Sequence, residues 1–204
     1  MNVFKITKTI AGVGSITMNP NQEWYPDGSI VAVGAVPQTG YAFINWSGDV
    51  GSVNPEIQLK MNSDKNIIAS FRPSTTIKLK IGSTSFTLNG ETRYLDSPPI
   101  IKNGRTLLPI RTVVEALGGK VGWDAAAKKV TVTLGSTTIE LWIGKNTAKV
   151  NGMSKLIDST NSKVVPEIIN ERTMLPLRFV TENLGATVLW NGDTQMITIT
   201  YQRE

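Results

Sequence analysis

The sequence contains no cysteine and no histidine. Zinc and copper sites are built mainly from those two side chains, so neither metal has an expected home here and no cofactor is expected. Ser–His–Asp and Cys–His catalysis are excluded with them. The chemistry left is that of carboxylates. Long hydrophobic runs are also missing: no stretch approaches the roughly 20 apolar residues of a membrane-spanning helix, so no membrane insertion is expected. The opening MNVFKITKTI lacks the apolar core of a signal peptide, and the chain reads as cytoplasmic or as a piece of a longer exported protein. Charged residues are sparse at 18%, while hydrophobic residues reach 40%, a balance too apolar for a disordered tail and sufficient for packed cores. Its 204 residues could form one large or two small domains.

What is present is dominated by a repeat. Gly104 to Asp124, GRTLLPIRTVVEALGGKVGWD, returns as ERTMLPLRFVTENLGATVLWN from Glu171 to Asn191 without a gap. Arg105, Pro109, Arg111, Glu115, Gly118 and Trp123 fall on Arg172, Pro176, Arg178, Glu182, Gly185 and Trp190. Such dense self-similarity has to be read before any local motif. Ile110, Val113, Val114 and Leu117 follow one another at i, i+3, i+4 and i+7, the apolar stripe of a two-turn helix. The spacing predicts helices over Ile110–Leu117 and Leu177–Leu184, with the prolines in the first turn and the glycines as left-handed C-caps. Arg111 can pair with Glu115, and Arg178 with Glu182, across the helix surface. After each helix a short strand carrying Trp123 or Trp190 is expected, then a returning strand with period-two alternation, Val130, Val132 and Leu134 or Ile197, Ile199 and Tyr201. Asn89-Gly90 and Asn151-Gly152 signal type I′ hairpins near the start of each copy. Between hairpin and helix the second copy has a longer connection, Asp158 to Asn170, expected as a surface loop.

These residues resemble the copper amine oxidase N-terminal-like domain of secreted and surface proteins in Gram-positive bacteria, over roughly Thr75 to Tyr201. The resemblance implies an appended non-catalytic domain rather than copper and quinone chemistry. It also favours the exported-fragment reading, with an extracellular or cell-surface location and other domains of a larger parent chain as partners. The absence of cysteine suits such a protein.

The first part of the chain has no helical period. Phe4 and Ile6 alternate with polar neighbours, Gly12 and Gly14 interrupt, and Ile16 and Met18 resume, a pattern that predicts a hairpin. Strands are expected over Ser29–Val36, Gly40–Trp46, Ile57–Met61 and Ile67–Phe71. The motifs GSIT, YPDGS, GYAFINWSGD and SDKNIIASF are similar to the divergent InlB B-repeat modules of bacterial surface proteins. Arg72 to Thr76 reads as the boundary. The expected architecture is therefore mainly β, α+β: an all-β module over 1–72, then a module over 75–204 made of repeats 77–135 and 139–201. Each repeat should pack one short helix on antiparallel strands.

Tempting features mostly read as structure. Asp27, Asp49, Glu56 and Asp64 occupy turns and strand ends, where a glycosidase pair is less natural than turn chemistry. The cluster Asn62 to Asn66 lacks the acidic density of a calcium loop. Trp46, Trp123 and Trp190 read as core, and Arg105 and Arg172 as side chains tying a loop to backbone carbonyls. A net charge of +5 comes from scattered lysines with no recognition motif, so no nucleic-acid partner is expected. Trp24 and Tyr25 sit in a polar loop, and Trp142 takes the place held by solvent-facing Lys80 in the first copy. All three are candidate platforms for sugar stacking, though each could equally be a domain contact. The expected role is non-catalytic binding of a polysaccharide or cell-wall polymer, with a ligand-free structural spacer as the alternative.

Overall fold

The computed structural model describes residues 2–202. Met1, Arg203 and Glu204, which the limits drawn from sequence include, lie outside the described residues. The chain divides into two compact units at Ser74/Thr75. Antiparallel strands dominate both, and the helices are short, so the protein is mainly β as expected.

The first unit contains β1 (Val3–Phe4), β2 (Ile6–Ala11), β3 (Gly14–Asn19), β4 (Tyr25–Pro26), β5 (Ile30–Pro37), β6 (Tyr41–Gly48), β7 (Glu56–Lys60) and the first part of β8 (Lys65–Lys80). β3, β5 and β7 form one sheet, while β8 pairs with β2 in parallel and with β6 antiparallel. The expected hairpin of β2 and β3 does not form, because the two strands join different sheets. Gly12 and Gly14 mark the crossing for a steric reason. A Cβ on Gly12 would stand 2.1 Å from the Phe71 carbonyl oxygen, and one on Gly14 would stand 2.6 Å from the Phe71 ring.

Both sheets supply one core, from Val31 and Val33 on β5 to Ile67, Ala69 and Phe71 on β8. At its centre is Trp46, only 1% exposed, whose indole N–H donates to the Asn54 carbonyl at 3.1 Å. The register of β6 against β8 shifts between Phe43 and Asn45. One extra residue there returns Trp46 to the face of Phe43, and their ring centroids lie 5.5 Å apart.

The second unit adds β9 (Ser85–Leu88), β10 (Glu91–Tyr94), β11 (Ile100–Lys102), β12 (Arg105–Leu108), α1 (Arg111–Ala116), β13 (Lys120–Asp124) and β14 (Lys129–Leu134) from the first copy. From the second come β15 (Thr137–Trp142), β16 (Thr147–Val150), β17 (Met153–Leu156), β18 (Glu167–Ile169), β19 (Arg172–Pro176), α2 (Leu177–Asn183), β20 (Thr187–Asn191) and β21 (Met196–Gln202). In this unit one sheet runs β10-β9-β8-β21-β20, sharing β8 with β2 and β6 of the first unit, and a five-stranded sheet runs β13-β14-β15-β16-β17. Each therefore takes three strands from one copy and two from the other. A third sheet, β11-β12-β19-β18, joins the copies at its middle, where Leu108 pairs with its own counterpart Leu175. Antiparallel pairing of equivalent residues is the signature of a local two-fold relation between the copies.

The helical stripe is buried as its spacing requires: Ile110, Val113, Val114 and Leu117 join Leu177, Val180 and Leu184 in a single core. The prolines sit just outside the helices rather than in their first turns. Pro176 is itself the extended N-cap residue at the end of β19, and Pro109 precedes the N-cap Ile110. Gly118 and Gly185 take φ of +92° and +86° after the last turns, as a left-handed C-cap requires. Arg178 and Glu182 pair at 3.7 Å, but Arg111 and Glu115 do not come within ion-pair distance.

Asn89 and Asn151 do more than turn the chain. Each side-chain oxygen accepts a 2.8 Å hydrogen bond from the backbone of the copy's first strand, at Thr76 and Thr138. Two further hairpins use the same turn chemistry, at Asn103-Gly104 and Asn170-Glu171. Glu171 is held at φ +61° where the first copy has glycine. Left-handed backbone costs an L-residue about 1–2 kcal/mol, partly offset by the greater freedom glycine has when unfolded. Glu171→Gly should therefore raise stability by about 0.5–1 kcal/mol, read as a higher urea midpoint with an unchanged slope.

Candidate functional site

Of the three aromatics named from sequence, Tyr25 is not on the surface. It is 1% exposed in the first core, where its hydroxyl donates to the Pro20 carbonyl and accepts the Gln22 N–H, both at 3.0 Å. The short pairing of β4 with β1 turns it inward, although no apolar period announces it. Trp24, its neighbour, is 47% exposed. One face of its ring is already covered by the Lys5 ammonium, 4.0 Å from the centroid, which also reaches Glu23 at 3.3 Å.

Trp142 lies on the face of its sheet opposite the core and is partly exposed. Its register partner on β14 is Lys129, while Lys149 on β16 faces the adjacent Glu140. Both ammonium groups stand 6.0 Å from the indole centroid. Lys129 is anchored to Glu140 at 2.7 Å, and that hydrogen bond chiefly holds its pKa above the usual lysine range against partial desolvation. Lys149 makes no ion pair among the described residues, so its charge remains available to a ligand. The arrangement is an outward-facing indole with two cations over its ring, at the outer limit of cation–π distance.

Trp123 and Trp190, expected as core, are 42% and 41% exposed. Their strands are the outermost of their sheets, and their register partners Val130 and Ile197 are buried. The indoles therefore point to the core side but at its rim, where no further strand covers them. The warning is legible in Lys120-Val-Gly-Trp-Asp, which offers too few apolar residues for a strand buried along its length.

Arg105 does donate to a backbone carbonyl, that of Gly104 at 3.2 Å, but the ties that Arg105 and Arg172 make across the repeat are to carboxylates. Arg105 meets Asp158 of the second copy at 2.6 Å, and Arg172 meets Asp96 of the first at 3.7 Å. Lys102 pairs with Glu167 in the same crosswise sense. The connection after Asp158 is fastened rather than loose: Asn103 and Asn161 exchange bonds with the backbones of Lys163 and Asn103, and Val164 is buried. Asp158 also accepts the Thr160 hydroxyl and N–H and the Asn161 N–H. The Thr160 hydroxyl bond first, then the Thr160 N–H and Arg105, lower its pKa despite partial desolvation.

A carboxyl depressed in this way adds stability that is present above its unfolded value of about 4 and is lost as pH falls through its folded value. Acidification below about pH 4 should therefore release the loop, and Asp158→Asn should remove that part of the pH dependence. Amide exchange at Thr160 and Asn161 followed against pH checks it. Two of the other acids named from sequence do more than turn the chain: Asp49 accepts the Asn66 N–H at 2.6 Å, and Asp64 the Lys5 N–H at 2.8 Å, each bond reaching a part of the chain distant in sequence. Among the described residues no three carboxylates gather as a metal site would need.

With this geometry in place, the comparisons with known proteins are specific about the domains. The family described as Copper amine oxidase N-terminal domain matches residues 52–113 and 87–199. The chain belongs to this family. The domain matched is the accessory N-terminal one, not the catalytic domain of an amine oxidase. Residues 4–75 match the divergent InlB B-repeat domain. Both families are typical of bacterial surface and extracellular proteins. No helix among the described residues is long and apolar enough to cross a membrane. A protein named as a protease inhibitor from Brevibacillus choshinensis is 29% identical over 106 residues, covering 51% of this chain. The chain spans about 30% of that relative's length. No solved structure matches.

Proposed function

We propose that this member of the copper amine oxidase N-terminal domain family is a non-catalytic accessory region of an exported bacterial surface or polysaccharide-processing protein, and that it binds an anionic carbohydrate or cell-wall polymer at Trp142. The supporting observation is the indole on an outward sheet face with the Lys129 and Lys149 ammonium groups each 6.0 Å from its centroid. Sugar rings stack on such a surface through their C–H face. The cations over the ring favour a uronate or phosphate substituent over a neutral sugar.

Trp142→Ala tests the reading. Because the ring is only partly buried, the substitution should cost about 1–2 kcal/mol, below the roughly 3–5 kcal/mol of a core tryptophan such as Trp46. Retardation in a gel containing acidic polysaccharide should disappear in the folded variant and weaken with salt in the parent. A parent protein that no polysaccharide retards, acidic or neutral, would instead favour the spacer. That second reading has its own support, since Arg105 and Arg172 recur in both copies for a structural reason and need no ligand to explain them.

A further inference from the structure

We infer that the groove between β17 and β20 takes up an extended, acidic peptide segment of a protein partner, which adds as a strand to one of the two sheet edges that meet there. This site is separate from Trp142 and independent of the polysaccharide reading. β17 is the outer strand of the five-stranded sheet and β20 an outer strand of the sheet that holds β8, and neither has a further partner among the described residues. Both strands line one cavity of about 990 Å³, with Leu177 and Phe179 of α2 also in its wall. An open edge is a row of backbone N–H and C=O groups that another extended backbone complements directly.

The two copies differ at this edge in a telling way. β13, the counterpart of β20, reads Lys120-Val-Gly-Trp-Asp, with a charge at each end and a glycine at its centre, and its groove is about 420 Å³. Such charges are the usual guards against strand addition. β20 reads Thr187-Val-Leu-Trp-Asn, carries no charge or proline, and pairs with β21 in unbroken register. It leaves Leu189 64% exposed on its outer face, while the half-exposed Trp190 on the other face lines the groove. One edge is protected and the other is open.

Charge identifies the guest. Arg105 is neutralised by Asp158, and Arg178 by Glu182, which leaves Lys155 on β17 as the excess charge of the groove. Its ammonium is held by the Asn183 side chain at 2.7 Å. Because Trp190 and Lys155 both line the groove, a fitting peptide carries apolar and acidic residues on the same face, an apolar side chain toward Trp190 and a carboxylate toward Lys155.

The test titrates the whole protein with a capped synthetic peptide of repeated Val-Val-Glu-Glu, which puts both residue types on each face of an extended strand, while backbone amide NMR signals are followed. Shifts confined to Ser154–Leu156 and Thr187–Asn191 are expected. The same peptide N-methylated at alternate amides should produce none, because strand addition needs those donors. Leu189→Glu should weaken binding at least tenfold. Equal binding of the N-methylated peptide, shifts centred on another edge such as Glu91–Tyr94, or no shift up to about 1 mM peptide would each overturn the inference. Displacement of the peptide from these residues by polygalacturonate would overturn it as well, by making the groove a sugar site.

Discussion

Gly12→Ala should destabilise the first unit by about 2–6 kcal/mol, the sum of two separate penalties of about 1–3 kcal/mol each. Gly12 has φ +101°, outside the range an L-residue adopts without strain. Its Cβ would also fall 2.1 Å from the Phe71 carbonyl oxygen. That oxygen belongs to the backbone of β8, which is paired on both sides with β2 and β6, so it cannot step aside cheaply. Gly28→Ala separates the two penalties. Gly28 has φ +81° but nothing within 4 Å of the new methyl, so only the backbone term of about 1–3 kcal/mol should appear. Urea denaturation of both variants reads the difference. Equal losses would show that the close approach of β8 costs nothing.

The same glycines show where sequence reading stops. Alternation of Ile6, Ile16 and Met18 identified strands, but alternation carries no record of which strand is the neighbour. Gly12 and Gly14 looked like the turn of a hairpin, whereas they make room for Phe71 between sheets. Helices were legible almost to the residue, because the stripe of Ile110, Val113, Val114 and Leu117 ends at a glycine in both copies. The Asn-Gly hairpins were legible for a similar reason, since both of their residues take positive φ at Asn89-Gly90 and at Asn151-Gly152.

The candidate site was less legible. Tyr25 is buried by a two-residue strand too short to show a period, and Trp123 and Trp190 are half uncovered because their strands end the sheets. Trp142 was found by comparing copies: Lys80 holds the matching place, and an aromatic standing where the sister copy has a lysine is expected to face outward. Its two flanking lysines were invisible, being brought beside it only by the register of β14 and β16 against β15.

The crossing of the copies could not be seen at all. Two copies with nearly the same pattern can pair within themselves or exchange strands with equal satisfaction of hydrophobic alternation. Here β13 and β14 complete the sheet of the second copy, and β20 and β21 complete that of the first. One core holds residues of both, and Arg105–Asp158, Arg172–Asp96 and Lys102–Glu167 fasten it crosswise. Neither copy can bury its apolar face alone, so Thr75–Tyr201 should unfold in a single calorimetric transition.

The most direct measurement of that exchange is to cut the chain between the copies. Gly135 and Ser136 form the turn between β14 and β15, and a protease site inserted there would let the native protein be cleaved at one place. Strands of each half form part of the other half's sheet, and one core holds residues of both. The cleaved protein should elute as one particle at about 1 μM and keep its circular dichroism, separating only when denatured. Two halves that part under native conditions, each still folded, would contradict the strand exchange on which this account of the second unit rests.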